Sequence, residues 1–466
     1  MTTFIRSLIH RLSPLIERIR EDENLVRLIQ HSGLLYASGI ITIGLTFAQQ
    51  ISTASLLGAA DFGRFAAVMS SRLLIQLLVS FRTLDASTKF LAQSLDDHDD
   101  AEAANVAQTM SWYVLIDVVA GMIGVLLMLL LAGPIATHLL DAPDTLFLVQ
   151  LVALTIPFRL IALGVPNGML RLYDHFGLLS AKSVAFALVR LILITGAAVL
   201  GFGLFGVIVG AIVAEIFHAA MMLVLMAVTW RQHRPNIRLF QFGSSVYLLE
   251  HIKLMGNLWL NGTVNAIQRE TLIPILALLA SPADVGVFRI GLDTALLIRR
   301  LIDPILIALQ PKILSIYEQA SREEFLNFIK RSTILLTFLV SPITLGMIIV
   351  GPFVLPHLLG DEFAGAAEIT AILALAIGLE AVFSWLWVAM VAVNRIAWDN
   401  AAVTLRVILT VGGLLLIVPT QEALGAAIVR GAVGIVIIVL RFMLFWYAIR
   451  LEDETASSEV VLESEA

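Results

Sequence analysis

Six arginines, Arg72, Arg159, Arg190, Arg269, Arg289 and Arg430, sit deep inside long apolar stretches of the chain. A charge near a bilayer centre costs about 2.5–3.5 kcal/mol on insertion scales, so such residues face a wet cavity or a partner. The guanidinium fork grips phosphate or carboxylate with two parallel, charge-assisted hydrogen bonds and does not lose its proton. Each of the six is therefore either half of a structural ion pair or a contact for a bound anion. Five more, Arg64, Arg299, Arg300, Arg406 and Arg441, lie near the ends of their stretches. Snorkelling to the interface is the reading expected for these.

Carboxylates at comparable depth are fewer. Glu215 with His218 three residues on, Asp293 and Glu380 are candidate proton or cation sites, and Arg289 with Asp293 has the i, i+4 spacing of an ion pair. Uncharged polar residues form two stripes. Ser38, Thr42, Thr46, Gln49 and Thr53 share one helix face, as do Asn257, Asn261, Asn265 and Gln268. Such groups offer donors and acceptors without net charge, which suits hydroxyl-rich sugars. The alternative is hydrogen bonding between neighbouring helices. Two equivalent stripes favour a shared cavity.

Enzyme chemistry leaves no trace. Cysteine is absent, which excludes disulfides, thiolate metal sites and cysteine nucleophiles. No connection carries paired carboxylates, a metal-ligand cluster or a nucleophile triad. The expectation is a non-enzyme with no cofactor, no metal and no nucleic-acid partner.

The elements that position these residues are membrane helices. The 466 residues are 59% hydrophobic and 14% charged, with a mean hydropathy of +0.92. A soluble domain carries about a quarter charged residues. About twelve apolar runs, from 33–56 to 424–448, are long enough to cross a bilayer as helices, and none alternates as barrel strands do. With the N-terminus inside, the inner segments hold nineteen lysines and arginines and the outer connections none. By the positive-inside rule both termini are cytoplasmic. Residues 1–32 read as an amphipathic helix on the inner membrane surface, not a cleavable signal. Residues 231–251 form a basic cytoplasmic connection, and the acidic, Ser-rich segment 451–466 reads as a disordered tail.

The spans come in two copies of six. Ser38, Thr42, Thr46 and Gln49 precede Asn257, Asn261, Asn265 and Gln268 by a constant 219 residues. The turn LLGAADFGRF after the first span returns as LASPADVGVF, with Asp61 and Phe65 offset by 223 from Asp284 and Phe288. His138 and His357 are 219 apart, and Arg190 and Arg406 are 216 apart. An even number of spans per copy gives both copies one orientation, related by an axis along the membrane normal. The expected fold is an all-α polytopic membrane protein of about twelve helices in two parallel six-helix lobes. The N-lobe takes 33–230 (helices 1–6) and the C-lobe 252–450 (helices 7–12).

At LLGAADFGRF, the LLGDEF turn (Leu358 to Phe363) and the paired halves, the chain resembles the polysaccharide transporter or oligosaccharide flippase family, O-antigen flippases included. Its superfamily also holds MATE drug exporters and lipid II flippases. The resemblance covers about residues 33–450. It implies a V-shaped pair of lobes around a central cavity, in the inner membrane. It also implies that the chain turns an undecaprenyl-pyrophosphate-linked oligosaccharide to the outer leaflet by alternating access, for cell-surface polysaccharide biosynthesis. Glycosyltransferases or a polymerase of the same pathway are the implied protein partners.

On that reading Arg72, Arg159, Arg269 and Arg289 hold the pyrophosphate. Gln49, Asn261, Asn265 and Gln268 meet sugar hydroxyls, while the lipid tail stays in the membrane at the seam between lobes. Coupling to H+ or Na+ through Glu215, His218, Asp293 or Glu380 is left open. The rival is a MATE-type, cation-coupled multidrug exporter, kept alive by Glu270 and Glu380. It is disfavoured by the lack of an acid on the first helix and by the excess of arginines. A membrane polymerase or ligase is set aside because the longest outer connection, 352–366, is too short to build a catalytic domain.

Overall fold

The computed structural model describes residues 23–94, 100–140, 142–243, 252–256, 258–259, 263 and 270–465. Asn257, Asn261, Asn265, Gln268 and Arg269 lie outside the described residues, as does the surface helix expected before Glu23. Among the described residues the regular structure is entirely helical.

The element α1 (Glu23–Val79) contains the first two spans. The chain turns between them at Gly58, whose φ of 77° and ψ of 169° are open essentially to glycine alone. A short helix α2 (Thr83–Ser94) leads to α3 (Asp100–Pro134), the third span. The fourth span is broken into α4 (Leu146–Ala153), α5 (Thr155–Leu163) and α6 (Val165–Leu172). The second break falls at Gly164, just before Pro166 removes a backbone donor. The fifth span is α7 (Phe176–Arg190), carried on through a π-turn to α8 (Gly196–Val199). The sixth is α9 (Gly203–His233).

In the second half, α10 (Leu272–Leu279) is the described end of the seventh span. Helix α11 (Pro282–Gln319) opens with Pro282 at its first position and Ser281 as cap, whose hydroxyl accepts from the Asp284 backbone N–H. Helix α12 (Arg322–Leu359) opens with a reciprocal Ser321–Glu324 capping box. The tenth span is α13 (Ala366–Val382) and α14 (Trp385–Ala392). The last two spans form α15 (Ile396–Glu465), interrupted at Glu422. Its backbone stays helical to Glu465. The tail read as disordered is rich in Glu, Leu and Ala, all good helix formers.

Eight described helices are long and apolar enough to cross a membrane. Gly58 and Glu422 each divide one of these into two, and α11 and the seventh span bring the count to the twelve expected. Large side chains such as Leu130, Phe338 and Leu416 stand exposed on the outside of the bundle, where lipid replaces water as their environment.

Within each half the helices pack on their own repeat, α1 on α7 and α3 on α5, then α11 on α13 and α13 on α15. The halves meet along the second and eighth spans. At one end of this seam Phe62 meets Phe363 edge-on, 6.4 Å between centroids. Towards the other end Trp259 donates to the Leu78 carbonyl at 2.9 Å and stacks on Phe81. The connection between the halves is strapped to the third span, where Trp112 donates to the Gly243 carbonyl and Ser111 to that of Leu239.

Candidate functional site

A cavity of about 900 Å³ lies between the halves. Phe62 and Phe65 border it where the seam closes, and Asp399, Asn400 and Arg441 border it at the opposite end. Among the described residues nine arginines and five carboxylates line it. The imbalance comes from both halves.

In the first half Arg159 on α5 reaches Glu215 on α9, with Nη1 3.2 Å from Oε1. Its guanidinium also sits 5.7 Å from the Phe186 ring, and that of Arg190 lies 5.8 Å from the same ring. Phe186 stacks on His218 at 4.0 Å. Arg72 on the second span donates from Nη1 to Gln76 Oε1 at 2.8 Å, while its buried Nε has no acceptor. Among the described residues neither Arg72 nor Arg190 has a carboxylate within ion-pairing distance, and Glu215 pairs with Arg159 alone of the three.

In the second half carboxylates are shared. Glu380 accepts from Arg430 at 2.6 and 3.0 Å and from Arg406 at 2.6 Å. Asp293 accepts from Arg289 Nε at 2.5 Å, stands 3.9 Å from Arg300, and accepts from Gln50 Nε2 at 2.7 Å across the seam. Arg441 donates to Asp399 at 3.0 Å. Both shared carboxylates leave an excess of positive charge. Each ties down the arginines that hydrogen-bond to it, Arg406 and Arg430 on Glu380 and Arg289 on Asp293.

Of the residues expected to bind substrate, Arg72, Arg159, Arg289 and Gln49 line this cavity. Arg269, Asn261, Asn265 and Gln268 fall outside the described residues. Of the candidate coupling residues, Glu215, Asp293 and Glu380 line the cavity. His218 is buried beside it with both ring nitrogens unpartnered, its Nδ1 3.8 Å from Glu215.

Two expectations need correction. Arg299, Arg300, Arg406 and Arg441 do not snorkel to the lipid interface: they line the cavity, and Arg406 and Arg441 hold carboxylates inside it. Proximity to a helix end fixes depth but not which side of the helix is wet. The stripe on the first helix is also divided. Gln49 reaches the cavity, but its Nε2 donates to the fully buried Thr53, and Ser38 is buried against its own backbone. Thr42 and Thr46 are half-buried, and neither lines the cavity. Arg190, one of the six deep arginines, and Gln50 also line the cavity, beyond the residues assigned to the pyrophosphate or the sugar. Arg190 carried a signal, its place in the duplication opposite Arg406, whereas Gln50 lies a helical step off the stripe.

Among the described residues no cluster of three potential metal ligands occurs. No protein of curated function matches the chain by sequence. Solved structures match its fold at low identity. A lipid II flippase, MurJ, in an inward closed conformation is 13% identical, with TM-score 0.67 over 88% of this chain and 87% of that one. An inward-facing multidrug resistance MATE family transporter of the MOP superfamily is 13% identical, with TM-score 0.70 over 91% and 99%. The Vibrio cholerae MATE transporter VcmN in the bent form is 14% identical, with TM-score 0.55 over 92% and 97%. These likenesses establish the two-lobe, twelve-helix architecture. A family model described as "Polysaccharide biosynthesis protein" matches residues 53–368, more than half the sequence. The chain therefore belongs to this polysaccharide biosynthesis protein family.

Proposed function

We propose that the protein is a transporter that carries a lipid-linked oligosaccharide across the inner membrane by alternating access, its pyrophosphate held in the arginine-lined cavity. The observation that carries this reading is the pair Arg72 and Arg190, two cavity-lining guanidinium groups with no carboxylate partner among the described residues. An anion with several oxygens gives them the bidentate contacts they lack. Arg159 and Arg289 also line the cavity, Arg159 paired with Glu215 and Arg289 with Asp293.

Under the positive-inside assignment both termini are cytoplasmic, and the end closed by Phe62 and Phe363 is the outer one. The cavity then receives its cargo from the inner leaflet. The halves, 33–230 and 252–450, rock as bodies about the seam, and the lipid tail remains in the bilayer between them. A cationic drug is the poorer fit, because like charges in a low-dielectric cavity repel strongly. Glu270, at the cavity wall, is the acid that such an exporter would use.

Reconstitution tests the reading. Proteoliposomes carrying fluorescent undecaprenyl-pyrophosphate-linked glycan should show glycan movement between leaflets that Arg72→Ala and Arg190→Ala abolish. Wild-type vesicles that leave the glycan in place but expel ethidium, with expulsion lost in Glu270→Gln, establish the exporter reading instead.

A further inference from the structure

We propose that a second pocket, between α11 and α14, is a glycan subsite that seats one pyranose unit of the cargo; this rests on the transport reading above. The pocket has a volume of about 200 Å³ and shares Arg299 and Trp387 with the central cavity, so it opens as a side chamber of it. Gln310, Asp303, Ser384 and Trp385 complete its polar lining.

Two polar groups of this lining lack a hydrogen-bond partner within the described residues. Trp385 is 3% exposed, packed edge-on against Phe445 at 5.5 Å, and its indole N–H has no acceptor. The adjacent Ser384 hydroxyl is likewise buried without a partner. Buried donors are normally satisfied, and exceptions mark a site for water or ligand. Opposite them Arg299 and Asp303 lie one helical turn apart, Nε to Oδ1 3.3 Å, with both side chains almost half exposed. They present donors and an acceptor side by side, the pattern that neighbouring ring hydroxyls read. The Trp387 ring is 41% exposed at the shared wall. Its flat apolar face matches the C–H face of a sugar ring.

Other ligands fit less well. A phosphate gains little from an arginine already paired with an aspartate. A cation meets Arg299 and two N–H or O–H donors. A neutral molecule rich in hydroxyls uses every group present.

Binding of two probes to the full-length protein in nanodiscs separates the subsite from the reading it rests on. The probes are undecaprenyl pyrophosphate and the same lipid carrying an oligosaccharide. The wild type should bind the glycosylated lipid about tenfold more tightly. Trp385→Phe, which keeps the ring packed on Phe445, and Gln310→Ala should each remove most of that tenfold gain. Affinity for the bare lipid pyrophosphate should stay at the wild-type value, with thermal melts confirming that both variants are folded. Folded variants that retain the full gain, or that weaken both lipids equally, overturn the subsite while leaving the transport reading intact. A wild type that binds neither lipid overturns both.

Discussion

Gly63 on the second span and Gly286 on the eighth lie back to back across the seam, each so close to the other helix that a Cβ would enter its backbone. A methyl group on Gly63 would meet the carbonyl of Pro282, and one on Gly286 would meet the carbonyl of Ala59. These are one contact seen twice, because Ala59 and Gly63 precede Pro282 and Gly286 by the same 223 residues. The contact is isologous, and the axis relating the halves passes between the two glycines. Small residues at such a crossing let backbones approach, as in other membrane helix pairs.

A larger residue at either glycine should wedge the closed end apart. The chain has no cysteine, so a single Ala66→Cys, buried at the cavity wall just inside the crossing, reports on that end alone. In the parent it should resist a membrane-impermeant maleimide added from outside. With Gly63→Val or Gly286→Val it should label rapidly, and glycan transport should fall at least tenfold. Labelling that does not change would show that closure does not depend on this crossing.

The second span also borrows its cap. The Ala59 backbone N–H donates to Glu362 Oε2 at 2.9 Å, from the turn between the ninth and tenth spans. The eighth span, its repeat counterpart, is capped by its own Ser281. Opening the outer end must break the borrowed bond but not the local one. Glu362→Ala should therefore destabilise the closed state by about 1 kcal/mol, the usual loss for an N-cap, a roughly fivefold shift towards labelling of the Ala66→Cys reporter. Asp284→Ala should leave that equilibrium unchanged.

The sequence revealed the spans, their pairing into halves and the offset that the Gly63–Gly286 crossing obeys, because apolar length and repetition are properties of single helices read along the chain. It also singled out Arg72, Arg159 and Arg289, since depth alone makes a charge conspicuous. It could not tell Arg72 from Arg430. Both are deep, yet among the described residues one has no carboxylate within ion-pairing distance and the other holds Glu380 with two hydrogen bonds. That difference is set by the rotation of one helix against another, which periodicity does not encode. The same blindness hid the pocket at Trp385, whose lining comes from two helices about eighty residues apart in sequence.

The two classes of arginine should separate experimentally. Among the described residues Arg72 has no carboxylate within ion-pairing distance, so Arg72→Ala should melt within a few degrees of the wild type while losing binding of undecaprenyl pyrophosphate. Arg430→Ala leaves Glu380 with Arg406 as its remaining ion-pair partner. Breaking a buried pair costs about 3–5 kcal/mol, and the surviving arginine should hold the loss to the lower part of that range. Comparing thermal melts in detergent with lipid binding for the two variants checks the assignment. Equal melting losses would place Arg72 in a structural pair as well.

Asp117, on the third span, offers a last contrast between fold and site. It is 3% exposed, away from the cavity lining, and both its carboxyl oxygens accept from the Thr83 hydroxyl at 2.9 Å. Among the described residues no cation lies within ion-pairing distance of it. A side chain at Gly164 would strike it, so the break in the fourth span is shaped to admit this carboxyl. The group therefore ties α2, the third span and the broken fourth span together. Asp117→Asn keeps an oxygen for Thr83 and should be nearly neutral in thermal melts and in transport. Thr83→Val leaves a buried carboxyl without its donor and should cost about 1–3 kcal/mol, with lipid affinity unchanged. If Asp117→Asn instead melted normally but stopped transport, the carboxyl's proton would be part of the cycle and not of the scaffold.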